Sequence, residues 1–179
     1  LSEAFSVWFE PILLQDATYI PTVQSGNRAF INLGLEANTA AIGYGAGTFI
    51  TWLTDKYDEN LPLEIHRKVA PDPSTACASA RAVDAALVDR ASTLTAEFRD
   101  FAREFLLGTT GHDWTFADPE RCNLTPTETN ESYNYTMPDL SARSFLTSMI
   151  TGGGATPAGA LTVELTNNAP ANIRAYVYT

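Results

Sequence analysis

Acid–base chemistry near neutral pH falls first to histidine, and this chain has two, His66 and His112. His112-Asp113 follows Gly111, with Trp114 next in line. Neighbouring side chains do not naturally face one another. The pair therefore needs a third group, brought from elsewhere by the fold, before it can do chemistry. With such a group the site would be that of a hydrolase, using His112, Asp113 and nearby acids. Without it, His112 is a loop histidine. His66 alternates with Glu64 and Lys68, the pattern of a solvated or paired surface residue.

Other chemistries find less footing. There is no H-E-x-x-H, no C-x-x-C and no G-x-S-x-G. Asp55-Lys56-Tyr57-Asp58-Glu59-Asn60 is acidic but lacks the glycine and closing glutamate of a calcium loop. Cys77, Cys122, His66 and His112 match no metal-ligand spacing. Gly43-Tyr44-Gly45-Ala46-Gly47 lacks the spacing of a nucleotide-binding turn and reads as a flexible link between strands. No metal or cofactor is expected.

Cys77 and Cys122 flank the central helical stretch, which suits a disulfide if the protein is extracellular. Asn123, Asn130 and Asn134 each open an N-x-[ST] sequon, so the same setting would make them glycosylation sites. Chance alone also produces such sequons in a chain rich in Asn, Ser and Thr.

These residues must be held by elements, and the strongest periodic signal lies at Ala78–Gly108. Val83, Leu87, Ala91, Leu94, Phe98, Phe101 and Phe105 recur in steps of three and four, one face of an α-helix. Asp84, Asp89, Arg90, Glu97 and Glu104 belong to the polar remainder. One helix over about 76–107 is expected, with Ser92-Thr93 as a point of weakness. A shorter helix is expected over about 139–150, capped by Asp139. At the start, Ser2–Phe9 reads as a helix that Pro11 ends, with Phe5, Trp8 and Phe9 on its core-facing side.

Strands are expected at 17–23, 28–33, 47–53, 61–69, 160–165 and 172–178, from β-branched and aromatic content or from alternation. Leu61, Leu63 and Ile65 would then face the core. The fold class is α+β: antiparallel strands packed with one long amphipathic helix and a shorter one.

The 179 residues suit a single domain, 1–179. The chain starts at Leu1 and stops within an apparent strand, so a processed chain or a segment of a longer protein is expected. The net charge of −10 opposes direct nucleic-acid binding by this segment. No apolar run of about 18 residues suggests a membrane span. The long stretch 109–138 carries Trp114, Phe116, Tyr133 and Tyr135 without clear periodicity, as a surface that meets another chain would. Two functions follow. The first is a structural or interaction protein, a subunit of a larger assembly such as part of a viral coat. The second is a secreted, glycosylated hydrolase using His112. Either places the protein outside the cell or in a virion.

Overall fold

The computed structural model describes residues 2–15, 31, 40–69, 78–112, 121–124, 141 and 144–147. All fall within one compact unit, Leu1–Ser148. Five helices account for most of them: α1 (Ser2–Leu14), α2 (Ala40–Lys56), α3 (Leu61–Lys68), α4 (Ala78–Val88) and α5 (Leu94–Leu107). Two short strands, β1 (Arg121–Leu124) and β2 (Ser144–Thr147), pair in parallel, with Cys122 opposite Phe145.

The expected α+β fold with antiparallel strands is therefore wrong. The described part is helical, and it contains no antiparallel pairing. Residues 47–53 belong to α2. Phe49, Ile50, Trp52 and Leu53 are buried on nearly all sides, and so short an apolar run does not separate a core helix from a core strand. The threonines that favour strands are accommodated locally. Buried Thr48 donates to the Gly45 carbonyl at 2.7 Å, and Thr51 to the Gly47 carbonyl at 3.0 Å.

Residues 61–68 form α3. Ile65 is fully buried while Leu63 is 49% exposed, so i, i+4 spacing from Leu61 wins over alternation. Pro62 sits in the first turn, where its missing N–H costs nothing, and Arg67 and Lys68 occupy the last turn. The helix expected over 139–150 is instead strand at Ser144–Thr147. Of 28–33 only Ile31 is described; it is helical and fully buried. The strands expected at 17–23, 160–165 and 172–178 lie outside the described residues.

The glycine run 43–47 is not a turn but part of α2, and it lets α1 approach. A Cβ on Gly43 would lie 2.8 Å from Glu3 Cβ, and one on Gly47 2.4 Å from Val7 Cγ1. The pairing advances in the same direction along both helices, four residues at a time. α1 passes through Pro11, giving up the hydrogen bond to the Val7 carbonyl, and stops at Gln15 with φ 53°. Ala4 is fully buried, and Phe5 and Trp8 pack on the core, but Phe9 is exposed.

The single helix expected over 76–107 is two helices. Ala91 does not fill the core stripe; it is exposed and left-handed, with φ 57°. Ser92 N–H returns to the Leu87 carbonyl, closing α4. Thr93 then caps α5 by accepting from Ala96 N–H, while Asp84 accepts from Leu94 N–H at 2.8 Å. Gly108 ends α5 in the left-handed conformation, φ 69°. The rest of the stripe is core: Val83, Leu87, Leu94, Phe98, Phe101 and Phe105 are all buried. Phe101 lies 5.2 Å from Phe49, 5.8 Å from Trp52 and 5.3 Å from Phe105 between ring centroids. The contacts with Phe49 and Trp52 fasten α5 to α2.

Candidate functional site

The end of α2 is where the polar side chains converge. Helix geometry sends Trp52, Asp55, Lys56 and the following Tyr57 and Asp58 in different directions, and each finds a partner distant in sequence. Trp52 Nε1 donates to Glu104 at 2.8 Å. Lys56 and Tyr57 both reach Glu97, and Asp58 reaches Arg90. Asp55 meets His112, with Nε2 2.5 Å from Oδ2.

His112, whose functional reading needs a group from elsewhere in the chain, meets Asp55. Two left-handed glycines, Gly108 and Gly111 (φ 69° and 82°), turn the chain after α5 back towards α2. The His112 side chain is 33% exposed and that of Asp55 56%, so the pair sits at the surface. A carboxylate in this position orients an imidazole. Catalysis would further require a nucleophile or a held water. Asp113, the neighbour named with His112, lies outside the described residues.

A second cluster is buried and was not foreseen. Glu97 is only 4% exposed, and both its carboxylate oxygens are used. One accepts from Tyr57 Oη at 2.6 Å and from Ser92 Oγ; the other takes Lys56 Nζ at 2.6 Å. Burial opposes its charge, but the hydrogen bonds from Lys56, Ser92 and Tyr57 outweigh it and hold the carboxyl below its ordinary range. The same contact shifts Tyr57 the other way: burial and the bond to Glu97 push its phenol above the usual value. With its acceptors taken, Glu97 is equipped to hold structure rather than to abstract a proton. The signal for it was present in the sequence. Glu97 falls on the apolar stripe, three residues after Leu94 and four before Phe101.

Beside it, Arg90 forks between Glu64 (2.6 Å) and Asp58 (2.9 Å) and lies 5.9 Å from the Tyr57 ring centre. The hydrogen bond from Arg90 holds Asp58 below the usual carboxylate range. The acidic run 55–60, considered above as a cation loop, thus spends Asp55 and Asp58 on basic side chains. Among the described residues no three His, Cys, Asp or Glu side chains gather as a metal site. His66 is exposed on α3, with its ring edge-on to Phe5 at 6.3 Å.

The other sequence-derived sites are placed only in part. Cys122 and Asn123 fall in β1. Cys77, Trp114, Phe116, Asn130, Tyr133, Asn134 and Tyr135 lie outside the described residues. Among the described residues no helix is long and apolar enough to cross a membrane. In comparisons with protein-family models, curated proteins and solved structures, nothing matches this chain.

Proposed function

We propose that this protein works by association, as a subunit of a larger assembly such as a viral coat, rather than by catalysis. One observation supports this reading: the apolar end of α1. Phe9, Ile12 and Leu13 are 48%, 53% and 67% exposed and share one helical face. Leu14, 54% exposed, extends the patch. The opposite face is already committed to α2 through Ala4 and Val7. A helix apolar on both sides is ordinarily covered on both, and clustered exposed apolar residues mark contact surfaces. The acidic balance fits a neighbour that is protein rather than nucleic acid. Sedimentation at micromolar concentration tests the reading. Oligomers that dissociate in the Ile12→Asp, Leu13→Asp double variant are the expected result.

The second reading, a secreted hydrolase, draws support from the Asp55–His112 contact alone. A strictly monomeric protein whose hydrolysis of ester substrates is abolished by His112→Ala would replace the first reading with this one.

A further inference from the structure

The contacts between the α2–α3 corner and the α4–α5 turn are of a different kind from those inside the core. Three ion-paired groups cross this seam. Arg90 bridges Asp58 and Glu64. Lys68 meets Asp89 at 2.7 Å. Glu97 takes Lys56, Tyr57 and Ser92. The acidic members of these groups are Asp58, Glu64, Asp89 and Glu97. Tyr57 joins the systems, because Lys56 and Arg90 both lie within 6 Å of its ring centre (5.8 and 5.9 Å). Asp84 adds a carboxylate at the turn itself, on Leu94 N–H.

Beyond the Lys56–Glu97 pair, the contact of α2 with α5 is built otherwise. Phe49 lies 5.5 Å from Phe98 and 5.2 Å from Phe101, and Trp52 5.8 Å from Phe101. Glu104, the carboxylate that meets this contact, accepts a neutral indole N–H and can still do so through its carbonyl oxygen when protonated. Acid therefore acts unequally on the two contacts. It removes the charge from one and leaves the apolar burial of the other intact.

We infer that the seam is an acid-operated joint: protonation of Asp58 and Glu97 frees the α4–α5 turn from the α2–α3 corner while the aromatic α2–α5 contact stays closed. Opening uncovers the apolar side of α3, where Leu61 and Ile65 are now fully buried in the core cluster that also holds Leu87 of α4. The direction of the titration agrees. Asp58 and Glu97 both lie below their ordinary values in the closed state, so closure is favoured above about pH 4.5 and lost progressively below it.

Residue-resolved amide exchange on the full chain, corrected for intrinsic exchange rates, tests the joint between pH 6 and pH 3. The amides of Arg90, Ala91 and Ser92, which are bonded to the Leu87 and Val88 carbonyls, report the turn. Those of Phe101 to Phe105 report the α2–α5 contact. Turn protection is expected to fall between pH 6 and pH 3, while the second group changes by less than about twofold. Glu97→Gln should lower turn protection at pH 6 and flatten its pH dependence. Asp58→Asn, at an exposed and less disruptive position, should do the same to a smaller degree. Loss of protection in both regions together, or an unchanged turn at pH 3, would overturn the inference.

Discussion

Val7 stands directly over Gly47: a Cβ on that glycine would lie 2.4 Å from Val7 Cγ1 and 3.3 Å from the Ala4 carbonyl oxygen. This approach joins the first helix to the central one, and it sets propensity against packing. Alanine is the better helix former by about 1 kcal/mol. Crowding of a closed interface costs about 1–3 kcal/mol. Gly47→Ala is therefore expected to destabilise, by up to about 2 kcal/mol in denaturant unfolding. A stabilised variant would show that α1 does not pack here.

Phe98 and Phe101 carry the α2–α5 contact, with 3% and 0% exposure. Truncating either to Ala should cost about 3–5 kcal/mol, since rings on several sides prevent collapse of the cavity. A loss below about 1 kcal/mol in the same measurement would contradict the core assignment.

Ile65 and Leu63 separate helix from strand at 61–68. On a strand both would be buried; on α3 only Ile65 is. Ile65→Ala should cost about 2–4 kcal/mol, whereas Leu63→Ser should stay within about 0.5 kcal/mol. Equal losses would restore the strand.

Glu97 sets part of the acid limb of stability. Because its folded pKa lies below the ordinary 4.5, its contribution is fully present above that value and disappears as pH falls through the folded one. Glu97→Ala should cost about 2–4 kcal/mol at pH 7, leaving Lys56, Tyr57 and Ser92 without their shared acceptor. The difference between variant and wild type should shrink as pH drops towards 3. A gap that is constant with pH would mean that the charge of Glu97 contributes nothing.

The helical core face from Val83 to Phe105 was legible from spacing alone, because 3.6-residue periodicity is a local property of the chain. So was the point of weakness at Ser92-Thr93, where one helix ends and Thr93 caps the next. The expected strands at 47–53 and 61–69 failed for one reason. Their residues suit either structure in isolation, and only burial against α1, α4 and α5 selects the helix. Gly43 and Gly47 looked like a turn because a glycine's value as an empty space appears only when Glu3 and Val7 fill it. The polar pairs were more remote still. Asp55 finds His112 across 57 residues, and Glu97 finds Lys56 across 41. No spacing rule reaches that far. What the residues could do was written in their chemistry; which of them meet was decided by packing α2 against α5.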